Sequence, residues 1–469
     1  MASLRFLGAA QQVTGSCYLF ETDELGRVLL DCGMHQGGDA VKRLRQESFA
    51  FEPASIDALF LSHAHIDHSG LIPLLVHGGF SGKIYCTHGT AKLLPVMLND
   101  AAGLYERDLK FENRSRQRKG KELLEPIYTK KDVETALGLC YPVSYGQALP
   151  IGKAGKVSLM FYDAGHILGS AITEISFTEE GRTKKLVFSG DLGKKVSVLM
   201  NEPSTVAEAD VVLMESTYGN RCHRSQQETV GQLEQVLKDT WENKGVVMIP
   251  SFAVGRTQEI LFHLGLLHYE GKLDPWKVYL DSPMAIAVTD IYDECLSVLD
   301  RKDAAKIREM HKGSLKHFLP SLNYVHSPEE SMALNDIPHG AIIIAGSGMC
   351  TGGRIRHHLK QRIWNEKNAL IFIGFQAGGT LGRILVDGAK NIRLFGEEVI
   401  VKSRIETLNG FSAHADQGEL IQWLQAIKGQ PRTMLVHGEL KSLDALSMKL
   451  WQDHKMSTEV PYPGQQIYF

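Results

Sequence analysis

His63-Ala64-His65-Ile66-Asp67-His68 follows a short apolar run, Asp57–Ser62, and gives way to a helical apolar pattern over Ser69–His77. Four side chains able to hold a metal thus fall within six positions, at the end of an expected buried strand. His63 and His65 leave that strand two residues apart, so their imidazoles share a face and converge. Asp67 and His68 stand where the next helix starts and turn toward a second point nearby. Imidazole nitrogen and carboxylate oxygen without thiolate suit zinc, and the mixed donor set points to a catalytic rather than a structural site. A histidine-rich surface loop is the plainer account, but it does not explain four candidate ligands directly behind a buried strand.

Further ligands stand at later strand ends. His166 lies in Asp163-Ala-Gly-His-Ile-Leu-Gly-Ser170, Asp191 in Phe188-Ser-Gly-Asp-Leu-Gly193, and His414 in Gly410-Phe-Ser-Ala-His-Ala-Asp416. Each is bracketed by small residues that allow close backbone approach. As a set they complete two sites: His63, His65 and His166 for one zinc, Asp67, His68 and His414 for the other. Asp191 bridges them, since its two oxygens can each serve one ion. His437, in Val436-His-Gly-Glu439, is the rival for the last ligand position, with contact to a substrate phosphate or packing as its preferred reading. Asp31 is expected to fix a ligand histidine's tautomer, with an ordinary strand-end turn as the equal alternative.

The remaining sequence frames these motifs. At 469 residues the chain exceeds one ordinary core. With 43% hydrophobic residues it can fold, and a net charge of -3 excludes attachment to nucleic acid by bulk positive charge. Seven cysteines are scattered singly, which fits reduced thiols and a cytoplasmic setting. No signal peptide is read in the opening residues, and no apolar run is long enough to span a membrane. Short strands with glycine turns, including a loop at Cys32–Gly38, fill the first part. A regular strand–helix alternation follows from Gln226, with Ile291–His311 mostly helical, and implies a parallel sheet covered on both faces. The basic stretch Lys110, Arg114, Arg116, Arg118, Lys119, Lys121 reads as a solvated helical face or as the lining of a groove at the domain interface.

Taken together, HAHIDH, AGHILGS and SGDLG resemble the metallo-β-lactamase fold, an αββα sandwich with one or two zinc ions at the sheet edge. Glu215-Ser-Thr-Tyr-Gly219, Pro250–Arg256, Asp281-Ser-Pro-Met-Ala285, Gly346-Ser-Gly-Met349 and Gly410–His414 resemble the β-CASP nuclease branch. There an α/β cap domain is inserted into the sandwich. The nearest pattern is that of prokaryotic relatives of the endonuclease subunit of the cleavage and polyadenylation machinery. The resemblance implies a metallo-β-lactamase domain at 1–219, a β-CASP cap at 220–382, and the first domain resumed at 383–469.

It further implies a zinc-dependent ribonuclease with two Zn2+ per chain and a two-metal bridging-hydroxide mechanism, acting on single-stranded RNA in processing or decay. Glu215 would be the motif A acid and His414 the motif C histidine; histidine there marks family members acting on RNA, whereas DNA-acting relatives carry valine. Asp67 would accept the proton of the attacking water. The eukaryotic motif B histidine is missing after Gly379-Thr-Leu-Gly382, so the expected general acid is His357 or His358, oriented by Glu215. Ser251, Arg256, Ser347, Gly348 and Met349 are expected to touch substrate phosphates at strand-to-helix turns. A homodimer or an RNA-processing complex fits this family. The competing functions are a DNA nuclease of the same branch, a non-catalytic RNA-binding scaffold, and a small-substrate hydrolase, which would leave the middle block without a role.

Overall fold

The apolar runs of the first part become strands, and their directions explain why the ligand candidates gather. The computed structural model describes residues 1–35, 40–179, 181–310, 313–374 and 376–469. The loop expected at Cys32–Gly38 and the helix expected to reach His311 therefore lie partly outside the described residues. The chain divides into two units. One comprises Met1–Lys195, Glu202–Cys222 and His414–Phe469; the other comprises Val196–Asn201 and His223–Ala413.

The first unit holds two seven-stranded sheets. One contains Ser3–Phe6, Tyr18–Thr22, Gly26–Leu30 and Ala58–Phe60 side by side. Residues of one parity along these strands (Leu4 and Phe6, Tyr18 and Phe20, Val28 and Leu30) enter a common core. There they meet Phe161, Phe177 and Phe188 of the other sheet. The Phe20 and Phe177 rings pack edge-on, 5.2 Å apart. On the second sheet's outer face, Val187, Val212 and Met214 pack against Leu420, Leu424, Leu443 and Leu446. These come from the helices Gln417–Gln425 and Leu440–His454. The helix His88–Arg118 packs against the first sheet at Lys83–Thr87 and Cys140–Val143. The result is the expected αββα sandwich.

Direction matters most for the site. Gly26–Leu30 and Ala58–Phe60 are parallel. In the second sheet Arg182–Phe188, Val211–Glu215 and Arg432–Val436 run parallel to one another. Asp31, His63, Asp191, Glu215 and His437 therefore all stand at or just past C-terminal strand ends.

The second unit is built on six parallel strands, ordered Leu322–Tyr324, Lys277–Asp281, Ala341–Ala345, Val247–Pro250, Ala369–Phe372 and Arg404–Thr407. Val247 and Ile249 enter one apolar cluster and Met248 the opposite one, so both faces are covered as expected. The expected return at residue 383 needs correction. The stretch Ile392–Leu408 splits into a hairpin, Asn391–Leu394 with Glu397–Ile400, and the strand Arg404–Thr407. That strand pairs with Ala369–Phe372, which keeps the chain in this unit to Ala413. No helix among the described residues is long and apolar enough to cross a membrane.

Candidate metal centre

Asp31 ends its strand wholly buried, with a left-handed backbone at φ 60°. Its carboxylate accepts from Ser16 Oγ at 3.0 Å, from Ser62 N at 2.8 Å and from Ser62 Oγ at 2.9 Å. It also lies 2.6 Å from His68 Nδ1. A proton on that Nδ1 leaves the lone pair of His68 on Nε2. Ser62 Oγ, having given its proton to Asp31, can accept from His63 Nδ1 at 3.0 Å, so His63 likewise presents Nε2. The backbone fixes this arrangement: Cys32 N donates to His68 O, and Met34 N to Ile66 O. Gly33 makes the approach possible, since a Cβ there would stand 1.6 Å from Asp67 O.

The ring nitrogens then face one another. His63 Nε2 is 3.0 Å from His65 Nδ1, which is 3.2 Å from His166 Nε2. Asp191 Oδ2 lies 3.5 Å from His63 Nε2 and 3.6 Å from His166 Nε2. Donors about 2.0–2.1 Å from a tetrahedral zinc stand about 3.3 Å from each other, so this group fits a metal. The same Asp191 oxygen is 3.4 Å from His68 Nε2. His68 belongs to a second group with Asp67 and His437, and a third comprises Asp191, Glu215 and His414. His68 Nε2, His437 Nε2 and Asp191 Oδ1 are buried without a hydrogen bond. Such orphaned atoms are what a cation would satisfy.

The electrostatics agree. Burial holds His63 well below its ordinary pKa and His65 at about 4, leaving both neutral and able to ligate. Burial also opposes charge on His68, but the Asp191 and Asp31 carboxylates outweigh it and raise that pKa. Burial would raise Asp191; instead His437, His68 and His414 hold it far below the carboxylate range.

Two expected assignments change. Asp67 and His68 are joined by His437 rather than by His414. Parallel pairing of Val211–Glu215 with Arg432–Val436 brings His437 to this edge, where its Nδ1 stands 3.3 Å from Asp191 Oδ1. His414 Nδ1 instead lies 3.0 Å from Glu215 Oε1, and its side chain is 20% exposed. Glu215 is wholly buried and also accepts from Leu192 N and Thr217 N, at 2.8 and 3.2 Å. The imidazole that Glu215 orients is therefore His414, not His357 or His358. His358 is buried in the second unit with Nε2 2.6 Å from Asp281 Oδ2, and His357 stacks on Phe395 at 4.5 Å.

The expected phosphate contacts fare unevenly. Arg256 is buried, ion-paired to Glu259 and hydrogen-bonded to Phe411 O, so its charge is satisfied inside the second unit. Ser251 is also buried, donating to Phe252 O and accepting from Thr257 Oγ1. Ser347 and Met349 remain partly exposed at the end of Ala341–Ala345. Gly348 is required by packing: a Cβ would meet the Phe252 ring at 2.5 Å. The sequence offered one overlooked signal, Ser62, whose place beside His63 lets it tie two ligand histidines to Asp31.

Comparison with known proteins adds three family matches. They are the metallo-beta-lactamase superfamily over residues 11–226, the Beta-Casp domain over 257–385, and the Zn-dependent metallo-hydrolase RNA specificity domain over 398–461. Ribonuclease TTHA0252 of Thermus thermophilus is 40% identical over 445 residues, 94% of each chain. The RNase J-like protein of Methanocaldococcus jannaschii is 32% identical over 467 residues, 99% of each. Transcription termination factor FttA of the same organism is 32% identical over 446 residues, 92% of this chain and 66% of its own.

Proposed function

The chain belongs to the β-CASP branch of the metallo-β-lactamase superfamily, and from that premise we propose a zinc-dependent ribonuclease acting in RNA processing or decay. The observation that carries this reading is the set of ring nitrogens and carboxylate oxygens facing one another around Asp191. The match to an RNA specificity domain supports RNA over DNA.

His63, His65 and His166 would hold one zinc, Asp67, His68 and His437 the other, with Asp191 shared. Metal ions held there would supply Lewis acidity, polarising a phosphoryl oxygen and lowering the pKa of water toward neutrality. Asp67 would accept the proton of the attacking water. His414, anchored by Glu215, is the group able to protonate the leaving 3′ oxygen, and its partial exposure supports contact with substrate. Glu215 acts as a positioning residue, since it is fully buried. Asp31 does the same for His68. Ser347 and Met349 are candidate backbone contacts for RNA. Seven free cysteines support a cytoplasmic setting.

The test is digestion of end-labelled single-stranded RNA and matched DNA by the purified protein, with zinc counted by mass spectrometry. Two zinc ions per chain and preferential RNA cleavage abolished by chelation are expected. A fully metal-loaded protein that cleaves neither polymer would overturn the reading.

A further inference from the structure

The helix His88–Arg118 buries residues along its length as far as Leu109 and none beyond. Among the described residues, hydrogen bonds tie this outer part to the returning segment 119–129. Asn113 donates to Leu124 O at 2.9 Å and accepts from Leu124 N at 2.8 Å. Arg116 Nε donates to Glu122 O at 2.6 Å, and Ile127 N donates to Tyr105 Oη at 3.0 Å. The opposite side is exposed among the described residues. Leu104, Arg107, Phe111, Arg114 and Arg118 succeed one another at steps of three and four residues, which places them on one face. All five are exposed, Phe111 to 76%.

Arg107 pairs with Asp108 at 3.9 Å, but beyond it the charge is one-sided. From Lys110 to Lys121 there are six basic side chains (Lys110, Arg114, Arg116, Arg118, Lys119, Lys121) and one acidic, Glu112, in a chain of net charge -3. Lys110, Arg114 and Arg118 enter no ion pair among the described residues. They stand four residues apart in succession, so each repels the next. A merely solvated helix face is served better by alternating charge than by this arrangement, and it has no use for an exposed phenyl ring among cations. A polyanion with stackable rings relieves both features at once.

We propose that this ridge is a binding site for single-stranded RNA, separate from the metal centre. Lys110, Arg114 and Arg118 neutralise successive phosphates, and Phe111 stacks on a base. The ridge from Leu104 to Arg118 is about 21 Å long, enough for several nucleotides. The choice of RNA as the polyanion rests on the ribonuclease reading above; the site itself does not.

The test uses the full metal-loaded chain carrying His414→Ala, which slows turnover, and fluorescence anisotropy with a labelled single-stranded RNA over a range of salt. Added replacement of Lys110, Arg114 and Arg118 by alanine is expected to flatten the plot of log affinity against log salt by about two units. That is about 0.7 for each phosphate no longer neutralised. Phe111→Ala is expected to weaken binding about 5- to 150-fold at every salt concentration without changing that slope. The double replacement Arg114→Lys and Arg118→Lys should keep the slope. Unchanged affinity and slope in both the triple and the Phe111 variants would overturn the proposal. So would a parent that self-associates in sedimentation and is made monomeric by Phe111→Ala with RNA binding intact, which would make the ridge a protein interface. Ridge-dependent binding by a protein that cleaves no RNA would support the ridge and count against the catalytic reading.

Discussion

Two buried carboxylates, Asp191 and Asp281, both stand at or just past the C-terminal end of a strand, and both lie against imidazoles. Asp281 is saturated: its oxygens take Ser331 Oγ and His358 Nε2, each at 2.6 Å, and Arg354 Nη1 at 2.6 Å. Burial would raise its pKa, but the bonds from His358, Ser331 and Arg354 hold it below the usual value. Asp191 has four imidazoles within 3.6 Å and still leaves Oδ1 without a hydrogen bond. Among the described residues, the metal-capable groups all lie in the first unit. An imidazole beside a buried carboxylate is thus not a metal signature. Several ring nitrogens facing one another without a donor between them are.

This contrast can be broken most directly at Asp191. Asp191→Ala should lose both metals and lower RNA cleavage about 10³-fold or more, measured by metal analysis and single-turnover digestion. Retention of two ions per chain would deny it the shared role. Next in size, His414→Ala should lower kcat about 10²- to 10⁴-fold while the zinc count holds, separating a proton donor from a ligand. If zinc falls with it, His414 returns to the metal set. Asp31→Asn should weaken metal binding about 10- to 100-fold, read by competition with a chelator, because His68 loses its orienting carboxylate. Smallest in catalytic terms, His358→Ala should leave kcat within about twofold while costing about 2 kcal/mol of stability by chemical denaturation, the worth of one hydrogen bond to a buried charge. A large fall in kcat at full stability would reopen the assignment of the proton donor.

What could be read from the sequence was what is local. Four candidate ligands in six residues need only one strand end to bring them together, so His63 through His68 were legible, and the small residues around His166 and Asp191 marked theirs. The partition between His414 and His437 was not. It depends on Arg432–Val436 lying beside Val211–Glu215, a pairing between segments far apart in the chain. Arg256 looked like a phosphate ligand because its neutralising partners, Glu259 and Phe411 O, become visible only once the turn is folded. The domain return was misplaced for a similar reason. Arg404–Thr407 is short and has no fully buried residue, so nothing in it announces an edge strand.

His437 sits at φ 48°, held there because its N–H donates to Ala9 O at 2.8 Å while its carbonyl accepts from Ser216 N at 3.2 Å. An alanine placed there loses the imidazole but inherits the strained conformation; a glycine loses the imidazole and is at ease. The two truncations should be equally poor in zinc, yet the glycine protein should survive heating better, by roughly 1 kcal/mol. A scan with alanine alone would ascribe to the missing ring a deficit that belongs to the main chain.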